Sequence, residues 1–525
     1  MEKIRQEAYP EDLSELIDSA YSRDPSAVFL NYTVSGKTVS VTHSEFKKDY
    51  EALSSVLRSR YGSDKRIAII GANSYNWIVL FISIVLSGNT AVAIDHSLPP
   101  DKIKKMIRSS GCSGYFAADP GLLDDSELNC ISESLNDLSV LTKDTCRDDR
   151  AFIPDRNTDR LSAIFFSSGT SSERKMIMLS QKNIMADING ACDAFTLKGN
   201  SLSVLPFHHV LGFIVSILMT FRFPYPVYIN RSLRELERDM KVCAPQTMVV
   251  VPLYIESFCK KIQAGIRRKN GKKFRAALKL SSILRKIGID IRKRLFAEVR
   301  SSFGGNLDVF ICGGAELDQH LIDMLDDLGI TVLNGYGMTE TASVISLNRI
   351  GDTRRKSLGK PLSCCRVMCD TDGEFLVSGD NVMKGYLNDI SGNSAAFSGE
   401  WFRTGDIGTI DRDGFLYFKG RKKNLIVLSN GENVSPEEIE SELLLYDQIE
   451  EVIVSESEGC LRAEIYPAPA YAGDESCFSG LIRRYGKNKP PYLMIHRVIL
   501  RKEPFEKNSS GKIIRRSTGT YNTEE

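Results

Sequence analysis

Phe165-Phe166-Ser167-Ser168-Gly169-Thr170-Ser171-Ser172-Glu173-Arg174-Lys175 is an apolar, strand-like run that empties into a loop dense with hydroxyls and ends in a cation. That chemistry suits a polyphosphate. The glycine lets backbone N–H groups approach an anion, the hydroxyls donate hydrogen bonds, and Lys175 offsets phosphate charge. The GxxxxGK[ST] spacing is absent, so the loop is not a Walker A loop. On composition alone a Ser-rich surface turn reads the same way.

Outward from that loop, apolar β-rich runs near residues 66–69, 91–94 and 247–251 alternate with longer helical patterns, which predicts an α/β fold. Asn334-Gly335-Tyr336-Gly337-Met338-Thr339-Glu340-Thr341 sets glycines around a ring, then a hydroxyl and a carboxylate. Tyr336 suits stacking on a base, Thr339 donation to phosphate, and Glu340 a Mg²⁺ ion; an ordinary tight turn is the alternative. Trp401-Phe402-Arg403-Thr404-Gly405-Asp406, followed by Gly420-Arg421, offers a carboxylate for ribose hydroxyls and an arginine to reinforce it, or a plain surface ion pair.

Taken in order, Ser168-Gly169-Thr170, Pro206-Phe207-His208-His209-Val210-Leu211-Gly212, Gly313-Gly314-Ala315, Gly335-Tyr336-Gly337-Met338-Thr339-Glu340, Thr404-Gly405-Asp406, Gly420-Arg421-Lys422-Lys423 and Ser510-Gly511-Lys512 span most of the chain. The ordered set resembles the adenylate-forming superfamily of acyl-CoA synthetases, luciferases and nonribosomal adenylation domains. The resemblance implies ATP-dependent activation of a carboxylic acid to acyl-AMP with release of pyrophosphate, then transfer to a thiol. It implies ATP, Mg²⁺ and either CoA or a carrier-protein phosphopantetheine. Ser167, Ser168, Gly169, Thr170 and Lys175 are expected around the departing phosphates, Gly314, Ala315 and Tyr336 around adenine, and Asp406 with Arg421 at the ribose. Thr339, Glu340 and Lys512 are the expected catalytic residues, Glu340 also the metal ligand, and Lys423 the expected hinge. The implied architecture is a large multi-subdomain adenylation domain, residues 1–419, and a small mobile α+β domain, residues 420–525.

The phosphate loop departs from the family pattern: Ser172, Arg174 and Met176 stand where a glycine, a proline and a last glycine are usual. A non-catalytic nucleotide or acyl binder is therefore one alternative, and a stand-alone acyl carrier protein ligase another. His208 occupies the position where amino-acid-activating relatives place an Asp, which disfavours an ammonium-bearing substrate. His208, His209 and Gly212 are expected to line the substrate pocket, with the apolar residues 213–219 forming a tunnel for a fatty or other hydrophobic acid. Either histidine is equally read as a core residue. Residues 304–315, with Gly-Gly-Asn and then Ile-Cys-Gly-Gly-Ala, and residues 422–433 resemble the long-chain fatty acyl-CoA synthetase branch.

Lys+Arg 68 against Asp+Glu 67 leaves a net charge of +1, so no global field points to nucleic acid. The charged start, MEKIRQEAYPEDL, lacks a signal-peptide core, and the most apolar stretch, 77–86, is too short for a membrane span; a cytoplasmic enzyme is the expectation. Twelve Cys form no CxxC pair, which favours reduced structural thiols. Between Lys260 and Arg300 lies a basic, partly amphipathic stretch, read either as a solvated face or as weak peripheral contact with anionic lipid or an acidic carrier. Ser435-Pro436-Glu437-Glu438 predicts a helix start with a capping box, and Ile439, Leu443 and Leu444 its apolar face.

Overall fold

Arg66–Ile70 and Thr90–Ile94 are almost wholly buried along both faces, the pattern of central parallel strands, and they pair in parallel register from Arg66↔Thr90 to Ile70↔Ile94. They form the middle of a seven-stranded sheet in the computed structural model, which describes residues 9–123, 128, 130–138, 141, 152–167, 174–269, 271–315, 317–428, 433–457, 459–487, 489–507 and 513–515. The sheet runs Gly385–Tyr386, Met176–Ser180, Leu161–Phe166, Thr90–Ile94, Arg66–Ile70, Gly114–Ala117, Ile131–Ser134. The first two strands are antiparallel to their neighbours and the rest are parallel.

A second sheet has nine strands, in the order Lys360–Pro361, Ser346–Leu347, Thr331–Tyr336, Val309–Cys312, Thr247–Val250, Ser201–Ser203, Val227–Ile229, Val28–Val34, Lys37–Thr42. From Thr331–Tyr336 to Val28–Val34 every pairing is parallel, so these strands end on the same edge. The apolar stretch at 77–86 is the helix Tyr75–Leu86, capped by Ser74 and buried from Trp77 onward. It is apolar all round because both of its faces are covered by protein. Among the described residues no helix is long and apolar enough to cross a membrane, and no disulfide forms.

The chain divides into two compact units. Among the described residues, the first takes in those of 9–167, 175–366 and 378–400, and the second Arg174 and those of 367–377 and 401–515. Gly420, where the sequence suggests a joint, thus lies inside the second unit. The reason is local bonding: Trp401–Ile410 pairs antiparallel with Leu416–Arg421, and that strand is tied to the helix Pro436–Leu443. Ser435 Oγ donates to the Lys419 carbonyl at 2.6 Å, and Asn424 Nδ2 to Glu437 Oε1 at 2.6 Å.

Those bonds also correct the helix start expected there. Ser435 is the N-cap and Pro436 follows at N1, but the serine hydroxyl is spent on Lys419 and Glu437 and makes no cap bond, so the capping box is not formed. Ile439 and Leu443 are buried as expected, whereas Leu444 is 46% exposed. The three-stranded sheet Ile449–Ser457, Cys460–Pro467, Ile495–Leu500 completes the second unit's core with Phe478, Leu481 and Tyr485 of the helix Glu475–Gly486.

Candidate active site

In the first unit the motifs collect where parallel strands end. Residues 204–212 follow Ser201–Ser203, the turn 313–315 follows Val309–Cys312, and 337–341 follow Thr331–Tyr336, all on adjacent or near-adjacent strands. From the other sheet, Asp95 and His96 follow Thr90–Ile94, and Ser167 follows Leu161–Phe166. The carboxyl ends of parallel strands are where α/β sheets open a crevice for ligands. Asn73 stitches the two edges together: its amide donates to the Leu205 carbonyl at 2.8 Å and accepts from Phe207 N–H at 2.9 Å.

Glu340 lies in the short turn Thr339–Thr341 and is 9% exposed. Tyr386 Oη donates to its Oε1 at 3.0 Å. Burial, then the Glu340 charge, pushes the Tyr386 phenol upward, so it remains a protonated donor at neutral pH. The Lys175 ammonium sits over the same ring, 4.0 Å from its centroid. A cation from the phosphate loop and a candidate metal ligand are thus joined through one tyrosine. That tyrosine is invisible to motif reading, because only the pairing of Gly385–Tyr386 with Met176–Ser180 brings it there.

The turn is pinned on both sides. Met383 N–H donates to the Glu340 carbonyl at 2.8 Å, Val344 N–H to Asp187 Oδ1 at 2.8 Å, and Asn381 Nδ2 to the Val344 carbonyl at 2.9 Å. Gly337 is required by close approach: a Cβ there would lie 1.8 Å from the Ser343 carbonyl oxygen. Thr339 and Tyr336 are half-buried. Gly314, at φ +89°, and Ala315 are exposed on the turn after Val309–Cys312.

The base of the phosphate loop is closed by two bonds, Ser167 N–H to the Lys175 carbonyl at 3.0 Å and Lys175 N–H to Ser167 Oγ at 3.1 Å. Met176, in place of the last family glycine, opens a strand opposite Phe166 and has no positive φ, so that replacement stores no backbone strain. Ser168, Gly169, Thr170 and Ser172 lie outside the described residues, as does Lys512.

At the acyl side, His208 is 7% exposed with Nε2 3.7 Å from Asp95 Oδ1, and its ring is 4.4 Å from that of His209. Asp95 Oδ1 also accepts from Ser97 N–H at 3.0 Å and Ser97 Oγ at 2.6 Å. Sequence reading passes over Asp95; its signal is an acid at the end of a fully buried strand. At Gly212 a Cβ would come 2.2 Å from the Pro206 carbonyl oxygen, so the side-chain direction is closed by backbone and a bulky residue would displace residues 205–206. Residues 213–219 are buried. Phe213 packs with Trp77 and Phe81 at centroid distances of 4.7 and 4.5 Å, and so belongs to the core.

In the second unit Asp406 and Arg421 face each other across an antiparallel pair, with Arg421 Nε 3.2 Å from Asp406 Oδ1. Asp406 is 2% exposed, and its N–H donates to Thr404 Oγ1 at 3.1 Å, which itself donates to the Phe375 carbonyl at 2.8 Å. The next residue, Lys422, is held by Asp372 at 2.5 Å and Glu374 at 3.0 Å, while Lys423 is exposed in the turn Lys422–Asn424.

The model of the AMP-binding enzyme family matches residues 17–387. The long-chain-fatty-acid–CoA ligase FadD15 of Mycobacterium bovis is 26% identical over 471 residues, covering 82% of this chain and 78% of its own. The 2-succinylbenzoate–CoA ligase of a Geobacillus species is 28% identical over 408 residues, covering 74% of this chain and 73% of its own. Among solved structures, o-succinylbenzoate CoA synthetase (MenE) of Bacillus subtilis with its acyl-adenylate intermediate superposes at TM-score 0.77 with 20% identity, covering 97% of this chain and 99% of that one. The same enzyme with ATP and a magnesium ion superposes at 0.72, with 20% identity over 95% of this chain and 98% of that one. The motif order, the placement of motifs at strand ends and a family match over most of the chain agree: this chain belongs to the AMP-binding enzyme family, the adenylate-forming superfamily that its motifs resemble.

Proposed function

We propose that the acid activated by this AMP-forming acid–CoA ligase is a fatty acid. The observation that carries the reading is the similarity to a long-chain-fatty-acid–CoA ligase over 82% of the chain. By the resemblance His208 takes the position where amino-acid-activating relatives carry an Asp, and the buried Asp95, 3.7 Å from His208 Nε2, accepts from Ser97 N–H and Oγ. A second reading, an aromatic acid, is favoured by the similarity to 2-succinylbenzoate–CoA ligases.

In this reading Lys175 and the hydroxyls of residues 167–170 take the β- and γ-phosphates, Thr339 the α-phosphate, Tyr336 with Gly314 and Ala315 the adenine, and Asp406 with Arg421 the ribose. Lys512 bridges the acid's carboxylate and the α-phosphate while pyrophosphate leaves. The catalytic contribution is positioning and charge stabilisation. Glu340, a hard oxygen donor held in place by Tyr386, is the residue to carry Mg²⁺, which when bound offsets phosphate charge. CoA supplies the accepting thiol, with carrier-protein phosphopantetheine the alternative acceptor.

Pyrophosphate release with ATP and a panel of acids tests the substrate. Turnover is expected with palmitate and oleate. Selective turnover of 2-succinylbenzoate would replace the fatty-acid reading, and ATP binding without pyrophosphate release from any acid would make the chain a non-catalytic binder.

A further inference from the structure

The helix Gly271–Lys286 carries two apolar stripes where one suffices to hold it. Its inner stripe, Phe274, Leu278, Ser281 and Leu284, is buried or half-buried, and Phe274 meets Phe296 at a centroid distance of 5.4 Å. Its outer stripe runs through Ala276, Leu280 and Ile283 and continues into Ile287 just beyond the helix. Leu280 is 49% exposed, Ile283 61% and Ile287 67%, and Ile289 in the following turn is 48% exposed. Spacings of three and four residues place these side chains on one face. Among the described residues of the first unit nothing covers that face, and a contiguous exposed apolar patch marks an interaction site.

Charge identifies the partner. Residues 260–300 hold fifteen Lys and Arg but only two acids, Asp290 and Glu298. At the helix end Asp290 pairs with Arg292 at 2.7 Å, Asp326 with Arg285 at 2.9 Å and Arg292 at 3.0 Å, and Asp327 lies in the field of the same two arginines, so these acids are met by arginines rather than by the lysines. Lys273, Lys279 and Lys286 are exposed and form no ion pair among the described residues. Protruding aliphatic tips ringed by uncommitted ammonium groups fit a surface that is apolar inside and negatively charged at its rim. An acidic protein would match the cations but not the exposed isoleucines; a second copy of this chain would bring the same cations face to face.

We propose that the helix Gly271–Lys286 and the turn 287–289 dock on an anionic lipid surface, with Leu280, Ile283 and Ile287 entering the acyl boundary and Lys273, Lys279 and Lys286 contacting headgroups. The proposal rests on this face alone, not on the fatty-acid reading. If both hold, docking brings the ligase to where its acid is dissolved.

Co-sedimentation of the full chain with phosphatidylcholine vesicles, with and without phosphatidylserine, tests it in the absence of any substrate. Binding is expected only to the anionic vesicles and should weaken with added salt. Ile283→Ser combined with Ile287→Ser, and separately Lys279→Glu combined with Lys286→Glu, should each lower the partition coefficient about tenfold or more. Both variants should retain the parent's melting temperature and its pyrophosphate release with an acid dissolved in buffer. Failure to bind anionic vesicles, or binding that neither pair of substitutions alters, overturns the proposal. So does concentration-dependent self-association that Ile283→Ser abolishes, which would make the face a contact between copies.

Discussion

Tyr386→Phe removes one hydroxyl and keeps the ring over which Lys175 sits, so it isolates the hydrogen bond to Glu340 from the cation–π contact. The bond is 3.0 Å long, its acceptor is a carboxylate only 9% exposed, and a hydrogen bond to a charged group contributes about 1.5–3 kcal/mol. Part of that loss should fall on overall stability and part on the fixed orientation of the carboxylate. If Glu340 serves Mg²⁺, about 1–2 kcal/mol reaches the metal, a rise of about 5- to 30-fold in the Mg²⁺ concentration for half-maximal rate. The assay is pyrophosphate release against Mg²⁺ at fixed ATP and acid, with Mg·ATP binding by calorimetry as a second readout. Glu340→Gln, which keeps shape and loses charge, should raise the Mg²⁺ requirement further, and the double variant should be no worse than Glu340→Gln alone. An unchanged Mg²⁺ dependence in Tyr386→Phe, or strict additivity of the two lesions, would refute the link between this pair and the metal.

Three other outcomes are expected. Gly212→Ala, pressed against Pro206, should cost about 1–3 kcal/mol of stability and depress activity alike for all acyl lengths; a loss confined to long chains would support the tunnel reading. Burial raises the Glu440 carboxyl from 4.5 to about 7 against the opposing pull of Arg515, so its contribution is whole below pH 4.5 and is lost as pH rises through about 7. Melting of the parent relative to Glu440→Gln should therefore fall by about 3 kcal/mol across that window, and parallel pH profiles would contradict it. Lys512→Ala should fail to form adenylate yet convert supplied acyl-AMP to thioester, while Lys423→Pro should form adenylate and stall before thioester; equal loss in both halves for Lys512→Ala would contradict the role of Lys512 in adenylation alone, and no loss in either half for Lys423→Pro would contradict its role as hinge.

What the sequence reveals is what local periodicity and short motifs control. The buried strands at 66–70, 90–94 and 247–250 and the covered helix Tyr75–Leu86 follow from apolar runs of the right length, and the motifs at 206–212, 313–315 and 335–340 sit at or just beyond strand ends, whereas Thr404-Gly405-Asp406 lies within the strand Trp401–Ile410. What it conceals depends on partners far along the chain. Tyr386 reaches Glu340 only through a strand pairing, Asp95 reaches His208 across two sheets, and Ser435 forgoes its cap because Lys419 offers a carbonyl 16 positions earlier. Gly212 belongs with them: the motif shows that a glycine is there, but only the packed Leu205–Pro206 backbone shows that its side-chain direction is closed.

The central claim is most directly tested by a single-turnover experiment in which excess enzyme meets ATP, Mg²⁺ and palmitate, first without and then with CoA, and the products are identified by mass spectrometry. Palmitoyl-AMP and pyrophosphate should appear in the first stage, and palmitoyl-CoA with AMP in the second. ADP with phosphate in place of AMP with pyrophosphate, or an adenylate that persists with CoA but is consumed by a phosphopantetheinylated carrier protein, would contradict the account.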